Sequence, residues 1–149
     1  LQPINAASVP DAVTIGALPS TVFWQLTGAV IRLRAVTRER GLVLLEKPSS
    51  SVALLDADRL SWPLTIRPWR HGDWFFPTGM AGRRKKLQDY FTDAKLGRSM
   101  RERIPLVLSG EGIAWIVGQR VDARFAATGS TIRFVLARVT PPLRRKGVF

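Results

Sequence analysis

Short apolar runs separated by glycine, proline and serine are the feature that most constrains this fold. Several of them alternate apolar with polar residues, as where Leu33 lies between Arg32 and Arg34. Alternation with a period of two is typical of a strand that buries one face. We therefore predict strands at 21–26, 28–37, 41–47, 51–57, 63–69, 104–109, 112–118 and 130–139. Short strands at such close spacing predict an α+β, mostly β fold, built as a small bent sheet or a partly open barrel.

The turns and the start of the chain refine this outline. The sequence "SGEG" at 109–112 is typical of a hairpin turn between two strands. Pro68 has no backbone N–H to donate, which predicts that the strand at 63–69 lies at a sheet edge. Residues 1–18 contain proline, alanine and serine without a strand pattern, so we expect an extended arm there and one domain at 19–149.

One segment departs from the strand pattern and predicts a helical insertion around 85–103. Its apolar residues recur at helical spacing and form one face: Leu87, Tyr90, Phe91 and Ala94. Ser99 and Glu102 have the spacing of a capping box, which predicts that Ser99 caps a second, short helix. Pro105 would end this helix, because the residue before a proline avoids the helical region.

The charge of the chain is strongly positive and unevenly distributed. The net charge is +12, from 23 Lys and Arg against 11 Asp and Glu. Residues 1–60 are nearly neutral, and the excess of bases begins beyond them. A folded domain this basic usually binds a polyanion such as RNA, DNA or an anionic membrane surface. The alternative is that the charge serves only solubility.

Several classes of site are excluded by composition. The chain has no cysteine, so disulfides and Cys-ligated zinc are excluded, which fits a cytoplasmic protein. His71 is the only histidine, so a His₂ or His₃ metal site cannot form. Nucleotide-binding signatures such as G-x-x-x-x-G-K-[ST] are missing. The uncharged stretch 12–31 is broken by Pro19 and two glycines, so we expect no membrane span.

Ten bases within and beside the insertion are candidates for RNA contact. Phosphate recognition needs cations that stay charged and are held at the spacing of a nucleic-acid backbone. The candidates are Arg67, Arg70, Arg83, Arg84, Lys85, Lys86, Lys95, Arg98, Arg101 and Arg103. Exposed aromatic rings beside them would stack on unpaired bases. For Trp69 and Trp74 the sequence leaves two alternatives, stacking on unpaired bases or packing in the core. Phe75 and Phe76 are expected in the core.

Residues 53–125 contain four ordered motifs: "GDWFFPTG" (72–79), "KKL" (85–87), "DAK" (93–95) and "IAWIVGQRVDARF" (113–125). Through these motifs, residues 53–125 resemble the C-terminal domain of tRNA(Ile)-lysidine synthetases. Two features depart from the family pattern. Trp74 stands where many relatives have Arg, and the basic run is doubled. With these departures we still expect the domain to contact an RNA backbone. They weaken only the expectation of base-specific contacts.

The resemblance implies the tRNA-binding part of an ATP-dependent ligase that attaches lysine to the wobble cytidine of isoleucine tRNA. ATP and Mg²⁺ would belong to an N-terminal catalytic domain, whose Ser-Gly-Gly-x-Asp-Ser loop is absent from this sequence. We therefore expect no catalytic residue, no cofactor and no metal in this chain, and no activity from it alone. Because the sequence opens without Met, we expect it to be a piece of a longer protein.

The partners implied are isoleucine tRNA and the parent's own N-terminal catalytic domain. By resemblance, the basic block would bind the acceptor stem, far from the anticodon where the chemistry occurs. The sequence leaves open whether the chain forms a homodimer. The alternative function is a protein-interaction domain that docks onto its catalytic half without direct RNA contact.

Overall fold

The computed structural model describes residues 12–141, which form eleven strands, three α-helices and one 3₁₀ helix at Ala57–Arg59. The strands are β1 (Val13–Ile15), β2 (Ser20–Trp24), β3 (Ala29–Val36), β4 (Val52–Asp56), β5 (Leu64–Pro68), β6 (Trp74–Phe75), β7 (Lys85–Lys86), β8 (Pro105–Ser109), β9 (Gly112–Ile116), β10 (Arg120–Val121) and β11 (Phe134–Thr140). The helices are α1 (Arg38–Leu45), α2 (Leu87–Asp93) and α3 (Arg98–Arg101). No helix in this range is long and apolar enough to cross a membrane.

Two antiparallel sheets face each other across the main core. One has the strand order β1-β5-β8-β9-β10, and the other has the order β2-β3-β11-β4. Buried side chains from both sheets form one cluster, which includes Ile31, Leu33, Leu55, Leu64, Ile66, Val107, Trp115, Val135 and Ala137. The apolar residues of the alternating runs therefore point between the sheets, as the period of two predicts.

The helical insertion covers the other face of the five-stranded sheet. A second buried cluster joins Leu106 and Ile116 of that sheet to Leu87, Tyr90 and Phe91 of α2. Because both of its faces are covered, β8 is buried along its whole length and its sequence is a continuous apolar run up to Ser109. The molecule thus has three layers: the four-stranded sheet, the five-stranded sheet and the helical insertion. The predicted α+β, mostly β fold is confirmed, with open sheets.

The insertion around 85–103 is confirmed, but its predicted capping box is wrong. Helix α3 begins at Arg98 and its N-cap residue is Gly97, with no side-chain cap. The Ser99 hydroxyl lies inside the helix, where it accepts a hydrogen bond from the Arg103 guanidinium at 3.2 Å. The Ser-x-x-Glu spacing is present, but the chain turns into the helix before it reaches Ser99.

The strand predicted at 41–47 is wrong, because this stretch belongs largely to helix α1. The Thr37 hydroxyl caps the helix by accepting a hydrogen bond from the Arg40 N–H at 3.1 Å. Gly41 packs directly against the Phe134 ring, and a Cβ there would lie 2.4 Å from that ring. A short apolar run does not distinguish a strand from a helix, and here the cap and this close contact decide it.

Three further predictions concern edges and ends. Strand β5 is not at an edge, since it lies between β1 and β8; Pro68 is its last residue, beyond the pairing with β1. Residues 13–15 of the predicted arm 1–18 are β1, a strand of the sheet, whereas residues 1–11 lie outside the described residues. The hairpin at 109–112 is confirmed, with Gly110 at a φ of 59°.

A candidate nucleic-acid interface on the basic layer

All ten predicted RNA-binding residues belong to the helical layer or to the turn beside it. We call the turn 67–73 together with residues 79–103 the basic layer. Strand β7 joins this layer to β6, because Lys86 pairs with Trp74 and Lys85 with Phe75. The Leu87 N–H then donates to the Asp73 carbonyl oxygen at 3.0 Å, which joins the start of α2 to the turn.

The turn 67–73 is built around the Asp73 carboxylate. It accepts two hydrogen bonds from the Arg67 guanidinium, at 2.9 and 3.0 Å, and one from the Arg70 N–H at 2.7 Å. The Arg67 and Asp73 side chains are only 12% and 13% exposed. A paired guanidinium with little exposure has little free charge to offer a phosphate. Arg67 therefore holds the turn, and Arg70 stands exposed on it.

Two other predicted residues also make contacts within the layer. Lys85 forms an ion pair with Asp93 at the end of α2. Arg101 donates to the Leu96 carbonyl oxygen at 3.1 Å, and its guanidinium lies 5.4 Å from the centre of the Phe91 ring. The ion pair joins β7 to the end of α2, and the Arg101 contact closes the connection between α2 and α3.

The other seven predicted bases have exposed side chains and no carboxylate within ion-pair distance among residues 12–141. They are Arg70, Arg83, Arg84, Lys86, Lys95, Arg98 and Arg103. The structure thus separates the ten candidates into three residues that hold the layer and seven whose charge is free. Lys95, Arg98 and Arg103 lie beside Leu96, Met100 and Ile104, whose burial in the cluster of α2 fixes this part of the layer in place.

Arg124 and Trp74 form a contact that the sequence did not identify. The Arg124 guanidinium lies 5.0 Å from the centre of the Trp74 ring and 4.7 Å from that of Phe76, within cation–π range. Arg84 lies 4.9 Å from the same Trp74 ring. Asp122, which is fully buried, positions Arg124 by accepting from its guanidinium at 3.0 and 3.1 Å. The sequence signal that could have found Arg124 is the "DARF" end of the motif at 113–125.

The aromatic residues divide between core and surface. Trp69 is half-buried and meets the Phe91 ring edge-on, with centroids 5.5 Å apart, so it packs on α2. Phe75 is fully buried, as expected, and Phe76 is half-buried. Trp74 is 37% exposed, which leaves part of its ring open to a ligand. Within residues 12–141, no group of three or more His, Asp or Glu side chains is placed to hold a metal ion.

Comparison with known proteins identifies the family. Residues 64–137 match the family model described as the TilS substrate C-terminal domain. The chain belongs to this family. The predicted resemblance is thereby confirmed. The match to a TilS C-terminal domain includes all ten predicted RNA-binding residues and Arg124, whereas β2, β3 and α1 lie before its first residue.

Curated relatives and a solved structure agree with this assignment. The tRNA(Ile)-lysidine synthase of Parabacteroides distasonis is 52% identical over 85 residues, covering 57% of this chain and 19% of the relative. That of Bacteroides thetaiotaomicron is 41% identical over 87 residues, covering 58% and 20%. The matched part of this chain thus spans about a fifth of the length of these relatives. A crystal structure of a TilS C-terminal domain superposes with a TM-score of 0.68 at 25% identity, covering 86% of this chain and 95% of that one.

Proposed function

We propose that this chain binds isoleucine tRNA through phosphate contacts of the basic layer, at the acceptor stem. It would do so as the substrate-binding part of a tRNA(Ile)-lysidine synthase, which joins lysine to the wobble cytidine and consumes ATP. ATP and Mg²⁺ would act in the catalytic part of that parent enzyme. This chain would bind and orient the tRNA and take no part in the reaction itself.

The observation that carries the proposal is the set of seven exposed bases without carboxylate partners among the described residues. A base that already has an acidic partner gains little from a phosphate, because the phosphate must displace that partner. An unpaired Lys or Arg binds a phosphate and releases condensed counterions into solution, which is the main source of backbone affinity. The family assignment supports tRNA as the nucleic acid that is bound, since the relatives are named for an enzyme that acts on tRNA.

The rigidity of the layer supports the same function. The Asp73 turn, the Lys85–Asp93 ion pair and the Arg101 contact to Leu96 hold the connections between the basic elements. A surface that is already ordered loses less conformational freedom when it binds. Duplex RNA is recognised largely by its shape and backbone, which suits a fixed set of cations better than a flexible tail.

Salt-dependent binding tests the proposal. The variant R83Q/R84Q/K86Q removes three unpaired bases, and each phosphate that is no longer neutralised lowers the slope of log K against log salt by about 0.7–0.9. We therefore expect the slope for an unmodified isoleucine tRNA transcript to fall by roughly 2–3 units. Fluorescence anisotropy over a salt series measures affinity and slope, and melting curves confirm that the variant is folded.

The control is R59Q/R133Q, which removes two exposed arginines that are paired with Asp56 and Asp58. This pair should change the slope much less per charge removed. If the triple variant folds and keeps both affinity and slope, the basic layer does not bind tRNA. Co-purification of the unchanged chain with the parent's catalytic part, but not with tRNA, would then support the docking alternative.

A further inference from the structure

A second cluster of cations lies on the outer face of the four-stranded sheet. Arg32 of β3 is directly opposite Arg138 of β11, and Arg34 follows two residues later on β3. We call these three residues the sheet arginine cluster. All three are exposed, while Ile31 and Leu33 point into the core. Because side chains alternate along a strand, the three guanidinium groups share the face that points away from the basic layer.

The pairing of Arg32 with Arg138 is unfavourable in the free protein. Like charges directly opposite on neighbouring strands destabilise a sheet. Within residues 12–141, none of the three arginines has a carboxylate at ion-pair distance. Arg32 donates instead to the Thr140 hydroxyl at 3.2 Å. An anion between the guanidinium groups would be attracted by both and would offset their repulsion. The cluster therefore favours a role in binding an anionic ligand over a role in stabilising the sheet.

The structure provides a space for such an anion. A cavity of about 140 Å³ is lined by all three arginines together with Ser20 and Thr21. Thr21 is directly opposite Arg32 on the neighbouring strand, so a hydroxyl adjoins the guanidinium groups. Two or more guanidinium forks with a hydroxyl beside them match the oxygens of a phosphate group.

We propose that the sheet arginine cluster is a second phosphate-binding site, and that it holds a stretch of RNA backbone different from the one on the basic layer. This inference rests on the proposed function. Two stacked sheets and a helix layer separate the sites, a distance of roughly 20 Å, so one phosphate cannot reach both. Arg32 and Arg34 precede residues 64–137 and Arg138 follows them, so the family match assigns none of the three a role.

The test is the variant R32Q/R34Q/R138Q of the whole chain, titrated with the same isoleucine tRNA transcript. We expect the salt slope to fall by roughly 2–3 units. This decrease should add to that of R83Q/R84Q/K86Q, because the two sites share no partner. The melting temperature should stay the same or rise, since the variant removes the Arg32–Arg138 repulsion. Residues needed only for structure would lower the melting temperature when replaced.

Matched variants distinguish the outcomes. R138Q should lower the slope by close to one unit, whereas R133Q, which lies just before the same strand and is paired with Asp58, should change it less. The triple replacement R32K/R34K/R138K keeps the charge and should restore most of the slope. A salt slope in the lysine variant as low as that of R32Q/R34Q/R138Q would overturn the phosphate assignment, because the slope depends on charge and lysine keeps the charge.

Three results would reject the inference. An unchanged slope in R32Q/R34Q/R138Q, with a reduced slope in R83Q/R84Q/K86Q, would overturn the second site and leave the proposed function standing. Unchanged slopes in both would overturn the proposed function as well. Retained tRNA affinity with reduced affinity for the parent's catalytic part would assign this face to protein docking instead.

Discussion

Arg67 in the turn 67–73 and Arg83 in the loop 79–86 are the same residue type and have different roles. In the turn, Arg67 is 12% exposed and bound to Asp73 by two hydrogen bonds. In the loop, Arg83 is exposed and has no carboxylate partner in the part of the chain that the structure describes. An arginine beside a buried carboxylate supports the fold, whereas one without a partner offers its charge to a ligand.

The largest expected effect is the loss of stability when Asp73 of the turn 67–73 is replaced. Replacing Asp73 with Ala leaves the Arg67 guanidinium largely buried and without its partner, and it removes the acceptor of the Arg70 N–H. We expect a decrease of about 3 kcal/mol in the free energy of unfolding. Urea unfolding followed by tryptophan fluorescence measures it. Asp89→Asn, at an exposed acid of α2, is the control and should change stability little. A decrease below about 1 kcal/mol would remove the distinction between turn and loop.

The two tryptophans extend the comparison to aromatic residues. Trp69→Ala removes a ring packed on Phe91, and we expect a decrease of roughly 2 kcal/mol in stability, less than for a fully buried ring. Trp74→Ala, on the exposed side, should lower tRNA affinity and change stability less. Thermal melts and anisotropy titrations of both variants separate the two effects. Equal decreases in stability would show that Trp74 also belongs to the core.

Asp93→Asn should convert a paired base into an unpaired one. The substitution removes the carboxylate that holds Lys85 and leaves a neutral side chain of the same shape. We expect tighter tRNA binding and a salt slope that increases by about 0.7–0.9. The same titration measures it, with Asp89→Asn as the control for general loss of negative charge. A slope equal to that of the control would mean that Lys85 does not reach a phosphate.

The smallest expected effect is the loss of stability when Lys85 is replaced. Lys85→Gln breaks the ion pair with Asp93, whose side chain is 65% exposed. Exposed pairs contribute little because water and salt screen them, so we expect a decrease of about 0.5 kcal/mol or less in the free energy of unfolding. Urea unfolding at two salt concentrations measures it. A decrease comparable to that of Asp73→Ala would show that the two ion pairs are equivalent after all.

Local patterns made the insertion predictable and left the roles of its charges undetermined. The face that contains Leu87 and Phe91 could be predicted because helical spacing is a property of neighbouring residues. The pairing of Arg67 with Asp73 could not, because it depends on how the turn folds back on itself. Arg124 was not predicted for a similar reason, since its contacts with Trp74 and Phe76 come from a part of the chain about 50 residues away.

The sequence by itself determined the mostly β character, the helical insertion, the positive charge and the family. Each of these is written in the spacing or composition of short stretches of chain. Only the tertiary structure decided that the run after Gly41 is helical, that three of ten candidate bases are engaged in the fold, and that Arg32 faces Arg138. These depend on which residues the folded chain brings into contact, because a neighbouring carboxylate or an opposing strand changes what a charge can do.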